Sequence, residues 1–171
     1  MDEEIYGIDK DHGHPRTIEL IPDEFFWNNF NEVAPFGSDE GDTALAEFRD
    51  WRKENPTKSI LECIIWTIEG VGEINFSEYN SSLLDDNLID QQIKDEDFDF
   101  EQYVNTLDIS VIATGFGQLA DEGKIDLDAK PTIKLALDRQ YKVTNHKYYS
   151  DDVAQEYRGY LARLLETLNK A

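Results

Sequence analysis

The sequence predicts an all-α protein, with a single globular domain of six or seven helices of unequal length spanning residues 1–171. Three observations lead to this prediction. Apolar residues recur every three or four positions through most of the chain, which is the spacing of one helix face. Prolines, glycines and capping residues divide this pattern into segments, and no run predicts strand pairing. Hydrophobic residues make up 40% of the chain, enough for a core, so global disorder is rejected.

The N-terminal 20 residues are expected to be irregular, as a loop or a short strand, because Gly13 and Pro15 interrupt them. A helix is predicted from Pro22, since proline is tolerated in a first helical turn, and Pro35 ends it. The aromatic residues of this predicted helix are Phe25, Phe26, Trp27 and Phe30.

Two further helices are predicted before residue 73. The first begins between residues 38 and 43 and ends at about Glu54, where Asn55 and Pro56 stop it. The second begins at Ser59, which forms a capping-box pattern with Glu62. The apolar stripes are Ala44, Phe48 and Trp51 in the first helix and Ile60, Ile64 and Ile68 in the second. The only cysteine, Cys63, lies in this apolar run and is predicted to be a small buried hydrophobe.

The middle of the chain contains the clearest helix, which is predicted from an N-cap at Asp99 to a stop at Gly123. A shorter helix from Ser82 precedes it. Two glycines inside the long helix predict a kink or a close contact with another helix. These glycines are Gly115 and Gly117.

The last two helices are predicted to begin at Asp128 and at Ser150. Each has an apolar stripe at helical spacing. The stripes are Ile133, Leu137 and Tyr141 in the first and Val153, Tyr157, Leu161, Leu164, Leu165 and Leu168 in the second.

The net charge of −21 is the most unusual property of the sequence. Residues 69–108 hold twelve acids and one base, whereas residues 130–171 hold eight bases and five acids. A strongly negative field repels nucleic acid and anionic membranes and attracts basic proteins. The composition therefore favours a basic protein partner, with no direct nucleic-acid binding and no membrane contact.

The acids are densest in residues 85–101, and we predict that they form the partner-binding face. The predicted site residues are Asp85, Asp86, Asp90, Asp95, Glu96, Asp97, Asp99 and Glu101. Phe98, Phe100 and Tyr103 lie among them, and an exposed one would serve as an apolar anchor. The alternative is that all three are core residues, with Phe98 and Tyr103 forming a hydrophobic staple.

Crowding of these acids leads to one electrostatic expectation. Like-charged carboxylates within a few ångströms raise one another's pKa in the folded state. The stability of the protein would then fall as pH rises through those values.

Metal and cofactor motifs are not recognisable, and no cofactor is predicted. Asp95, Asp97 and Asp99 resemble the start of a calcium loop, but the glycine and glutamate that such a loop requires are missing. An N-terminal cluster could hold a divalent cation, although its spacing matches no known zinc site and a surface loop is the simpler interpretation. This cluster consists of Asp9, Asp11, His12 and His14.

Catalytic motifs are also not recognisable, because no nucleophile, base and orienting group can be assembled. In helical class and acidity the chain resembles helical nucleotide hydrolases, which hold magnesium with paired acidic motifs. Glu47 and Asp50 form one such pair, and no clear second pair follows. A metal-dependent hydrolase therefore remains an alternative function.

The overall profile is similar to that of bacterial toxin-immunity proteins and DNA-mimic inhibitors, in composition rather than in any particular residue. This resemblance implies a non-enzymatic inhibitor that masks a basic, nucleic-acid-binding partner. A regulatory or structural domain whose charge serves only solubility is the third alternative. The acidic N-terminus without an apolar signal region, and the single cysteine, predict a cytoplasmic protein.

Overall fold

The structure, a computed structural model, describes residues 6–171 of the chain. Within this range it contains seven α-helices and no strand, which confirms the all-α prediction. The helices are α1 (Pro15–Leu20), α2 (Asp39–Glu54), α3 (Ile60–Gly72), α4 (Asp86–Lys94), α5 (Leu107–Glu122), α6 (Lys130–Asn145) and α7 (Asp151–Lys170). A π-helical segment, Glu101–Thr106, leads directly into α5, and short 3-10 turns connect several other elements.

Helix α5 is the centre of the fold. Every residue from 110 to 120 is buried, which is the pattern of a helix surrounded by other helices rather than lying on a surface. Helices α2, α3 and α6 pack directly against it, and α7 packs on α6. The predicted close approach at its glycines is confirmed. A β-carbon at Gly115 would lie 2.3 Å from the Ile133 side chain of α6, and one at Gly117 would lie 3.0 Å from Leu45 of α2.

The N-terminal part differs from the prediction in two respects. The segment expected to be irregular contains α1, where Pro15 occupies the first turn and the His14 side chain accepts a hydrogen bond from the Arg16 amide. The segment after Pro22 is a 3-10 turn, Glu24–Trp27, followed by further turns rather than a helix. The hydroxyl of Thr17 donates to a carbonyl of α5, so tertiary contacts hold α1 in place.

The predicted apolar stripe of α6 is correct at Ile133 and Leu137, which are buried, and wrong at Tyr141. Tyr141 is 42% exposed, whereas Gln140 and Val143 are buried. The apolar stripe of α7 is correct at Tyr157, Leu161, Leu164 and Leu168, all of which are buried.

Two hydrophobic clusters support these helices. The main core joins α2, α3, α5, α6 and α7 and includes Cys63, which is 1% exposed, as predicted. A smaller cluster of Ile89, Phe100, Val104 and Val143 fastens α4 and the π-helical segment to α6. None of the helices within residues 6–171 has the length and apolar character that crossing a membrane requires.

Candidate functional site

The acidic segment, which we define as residues 85–101, comprises Asp85, α4, the turn that follows it and the first residue of the π-helical segment. Seven of its eight predicted site residues are exposed, and Asp90 is half-exposed. Asp85 is the N-cap of α4 and accepts a hydrogen bond from the Leu88 amide at 3.0 Å. This carboxylate therefore also stabilises the start of its own helix.

Two of the eight predicted site residues are paired with cations of the protein itself. Asp86 lies 3.3 Å from the Lys142 amine and 3.0 Å from the His146 ring. Asp90 lies 2.8 Å from Lys94 and 3.9 Å from His146. Lys142 and His146, from the mildly basic C-terminal quarter of the chain, thus pair with Asp86, whereas the main partner of Asp90 is Lys94 of α4 itself.

These contacts reverse the expected pKa shift at the same two residues. The hydrogen bond with His146, and then that from Lys142, holds the pKa of Asp86 below its usual range. The hydrogen bond from Lys94 lowers the pKa of Asp90. A lowered carboxylate pKa stabilises the folded state above the unfolded-state pKa, and this stabilisation is lost as pH falls through the folded-state value. The expectation of raised values from crowding is wrong for these two residues.

Replacing His146 with alanine is expected to raise the pKa of Asp86 towards its ordinary value, because the leading hydrogen bond is removed. An NMR titration of the side-chain carboxyl carbons would measure this change. Lys94→Ala is the matched control, since it should raise the pKa of Asp90 and leave that of Asp86 in place. An Asp86 pKa that is equally low in His146→Ala would contradict the assignment.

The C-terminal end of the acidic segment has no counter-charge from the rest of the described chain. Asp95 accepts from the Asp97 amide at 2.9 Å, and Asp99 caps the π-helical segment by accepting from the amide three residues later, as predicted. Across residues 6–171, no lysine, arginine or histidine forms a salt bridge with Asp95, Glu96, Asp97, Asp99 or Glu101. These five exposed carboxylates, which lack a salt bridge within the described residues, are what we call the unpaired acidic surface. Glu101 among them accepts hydrogen bonds from the side chains of Asn105 and Tyr148.

The aromatic residues among these acids are not free to act as anchors. Phe100 is 6% exposed and belongs to the smaller hydrophobic cluster with Val143. Phe98 and Tyr103 are half-buried, with ring centroids 5.9 Å apart, so the predicted staple contact is present. An apolar anchor for a partner must therefore come from another part of the surface.

A groove of about 570 Å³ lies next to the unpaired acidic surface, and Glu101 lines both. We call it the Phe30 groove. It is lined by residues between 29 and 40, which lead into the first turn of α2, and by apolar residues of α5 and α7. Its acidic residues are Glu32, Asp39, Glu40 and Glu101, and none of the described residues that line it is basic.

The loop beside this groove holds an aromatic side chain in solvent. Phe30 is 85% exposed. The Asn28 side chain accepts hydrogen bonds from the amides of Phe30 at 2.7 Å and Asn31 at 2.9 Å. The side-chain amide of Asn31 in turn donates to Glu156 and Tyr160 of α7. The exposure of Phe30 was not predicted, because aromatic residues at helical spacing are expected to lie in the core.

A second acidic region surrounds Glu47 and Asp50, the pair named for the hydrolase alternative. Both line a pocket of about 520 Å³ between α2 and α3, together with Glu54, Glu62 and the half-exposed side chain of Trp66. Among residues 6–171, no three acidic, histidine or cysteine side chains are grouped closely enough to hold a metal ion. The structure thus brings the pair into a pocket without a metal-ligand set.

The N-terminal cluster makes local hydrogen bonds. Asp9 caps the 3-10 turn Lys10–His12 by accepting from the Asp11 amide, and its other oxygen lies 2.8 Å from the His12 ring. His14 accepts from a backbone amide of α1 instead. Asp9 and His14 thus stabilise the starts of the 3-10 turn and of α1.

A buried polar network between α5 and α6 was not predicted. Asp108, which is fully buried, accepts two hydrogen bonds from Arg139 at 2.8 Å, one from Tyr79 at 2.6 Å and one from Gln140 at 2.9 Å. Burial raises the pKa of Tyr79 well above its ordinary value, so its hydroxyl remains a donor. The sequence contains one signal for this network. Asp108 lies four residues after Val104 and therefore shares a helix face with core positions.

Comparison with family models, with curated proteins and with solved structures finds no match to this chain.

Proposed function

We propose that this protein is a non-enzymatic binding protein that masks a basic partner, in the manner of an inhibitor or immunity protein. The observation that supports this proposal is the unpaired acidic surface, in which five exposed carboxylates have no salt-bridge partner within residues 6–171. The proposal includes a cytoplasmic location and a partner whose own basic surface serves nucleic-acid binding.

The physical argument rests on competition for a positive cleft. A protein that binds nucleic acid presents lysine and arginine to phosphates. A fixed array of carboxylates offers these cations equivalent oxygen acceptors, and complementary fields accelerate the encounter. The backbone hydrogen bonds at Asp95 and Asp99 support this role, because they hold the carboxylates in position before binding.

The two alternatives predict different surfaces. A hydrolase requires carboxylates that converge on a metal ion, and the pocket at Glu47 and Asp50 lacks such a set within residues 6–171. A charge that serves only solubility requires no particular location. Charge-removing variants at two different surfaces distinguish binding at the unpaired acidic surface from a general effect of net charge.

The triple variant Asp95→Asn, Glu96→Gln, Asp97→Asn removes three charges from the unpaired acidic surface. The asparagine that replaces Asp95 can still accept the turn hydrogen bond. The immobilised protein would first capture basic proteins from the native host's lysate at low salt, and the dominant one would be purified. We expect the triple variant to weaken its binding about tenfold, since three rim charges contribute on the order of 0.5 kcal/mol each. Titration calorimetry across a salt series measures the change.

The matched control is the variant Glu47→Gln, Asp50→Asn, Glu54→Gln, which changes the net charge equally on exposed positions of α2. Its binding should weaken by no more than about threefold, because long-range charge is screened by salt. Equal weakening in both variants would assign the effect to net charge alone. Failure to retain any basic protein at low salt would overturn the proposal.

A further inference from the structure

We infer that the Phe30 groove receives the apolar face of a basic amphipathic helix supplied by the partner. This inference rests on the proposed function, because it names the part of a basic partner that this second surface would bind. Four properties of the groove support it.

The first property is a partly exposed apolar lining. Four apolar residues that line the groove remain partly exposed: Val33, Ile109, Tyr149 and Val153. Tyr157, Leu161 and Leu164 also line it but belong to the core. The partly exposed side chains offer contacts to a partner helix, whose apolar residues recur every three or four positions on one face.

The second property is charge. Glu32, Asp39, Glu40 and Glu101 line the groove, no basic residue does, and none of the four forms a salt bridge within residues 6–171. A helix that places lysines or arginines beside its apolar face would meet these carboxylates. A second copy of this chain would bring two strongly negative molecules together, since each carries −21.

The third property is an exposed anchor. Phe30 is 85% exposed at the edge of the groove, on a loop fixed by hydrogen bonds to Asn28 and from Asn31 to α7. Large aromatic residues that become desolvated on binding supply much of the energy of protein interfaces. A loop that is already ordered loses little conformational freedom when this side chain is covered.

The fourth property is continuity with the proposed binding surface. Glu101 ends the unpaired acidic surface and also lines the groove. A basic partner attracted by the acidic surface is therefore already beside the groove. The charges would accelerate the encounter, and the apolar contact would slow dissociation.

The test uses three synthetic helical peptides of about 18 residues, roughly 27 Å long. The first carries leucine on one face and lysine on the other. The second replaces every leucine with alanine, and the third replaces every lysine with glutamate. Fluorescence anisotropy at low and moderate salt would give the affinity of each peptide for the wild type, for Phe30→Ala and for Leu127→Ala. Leu127 is the matched control, because it is 80% exposed and lines a different pocket.

We expect the leucine–lysine peptide to bind about tenfold more tightly than the alanine–lysine peptide. Phe30→Ala should remove most of this difference, and Leu127→Ala should preserve it. Since Phe30 is exposed, its replacement leaves the core intact, which circular dichroism would verify.

The other outcomes would overturn the inference in distinguishable ways. Equal affinity for the two lysine peptides would exclude apolar recognition in the groove while leaving charge-based binding in place. If the leucine–glutamate peptide bound as tightly as the leucine–lysine peptide, a role for complementary charge would be excluded. Dimerisation that Phe30→Ala abolishes would assign the groove to a second copy of the chain. No binding of either lysine peptide at low salt would count against the proposed function itself.

Discussion

Replacing Asp108 with alanine is expected to lower the free energy of unfolding by about 3–5 kcal/mol, because it leaves a buried cation without its partner. The Arg139 side chain is 3% exposed, and both of its short hydrogen bonds to a carboxylate end on Asp108. The hydroxyl of Tyr79 and the amide of Gln140 would lose an acceptor as well. Urea denaturation followed by circular dichroism would measure the loss. A change of this size is a large fraction of the stability of an ordinary domain.

Two further variants make the interpretation specific. The double variant Asp108→Leu, Arg139→Met should recover part of the lost stability, because it removes both buried charges together. Asp97→Ala removes an exposed acid and should change the free energy of unfolding by no more than about 0.5 kcal/mol. If Asp108→Ala were to cost less than about 1 kcal/mol, the buried pair would not be the constraint that its geometry indicates.

Replacing Gly41 with alanine is expected to lower the free energy of unfolding by about 1–3 kcal/mol, because the added atom has no space. A β-carbon at this position would lie 2.1 Å from the carbonyl oxygen of Pro35. The carbonyl belongs to the backbone, and the backbone of residue 41 fixes the position of the β-carbon, so no side-chain rotation relieves the overlap. The shift would also disturb the start of α2, where the Ser38 hydroxyl accepts from the Gly41 amide at 3.1 Å. Thermal or urea denaturation would measure the change.

Gly70→Ala is the matched control for this prediction. Gly70 lies in α3, and a β-carbon there would meet no atom of the described residues within 4 Å. The substitution should raise the free energy of unfolding by about 0.5–1 kcal/mol, because alanine favours the helix more than glycine does. If both substitutions changed the free energy of unfolding in the same direction, the close contact at Gly41 would not control the packing of its loop. Since Pro35 and Ser38 line the Phe30 groove, Gly41→Ala should also weaken binding of the leucine–lysine peptide.

The sequence by itself determined the class of the fold and most of its helices, because their signals are local. The spacing of apolar residues identified α2, α3, α5 and α7, and Asp99 was recognisable as a cap from its position alone. Cys63 was placed correctly in the core for the same reason. Each of these features depends on residues within a few positions of one another, so a pattern in the chain reports it directly.

Local patterns failed where a distant residue decided the outcome. The aromatic run after Pro22 has the spacing of a helix, yet Phe25 stacks on Tyr160 of α7 at 4.2 Å and Phe30 is left in solvent. Tyr141 was predicted to be buried because it continues a stripe, whereas α6 turns its polar residue Gln140 towards Asp108. In each case a contact across the fold overrode the local preference.

The same distinction between local and tertiary information applies to the candidate site. The sequence determined that residues 85–101 are acidic, and exposure of its carboxylates follows from the cost of burying charge. Only the tertiary structure decided which of these charges are neutralised, since Lys142 and His146 reach Asp86 from more than fifty positions away in the chain. It also decided that Asp108 faces Arg139 in the core and that Phe30 stands beside a groove. Charge is a property of each residue, whereas a charge's partner depends on how the helices pack.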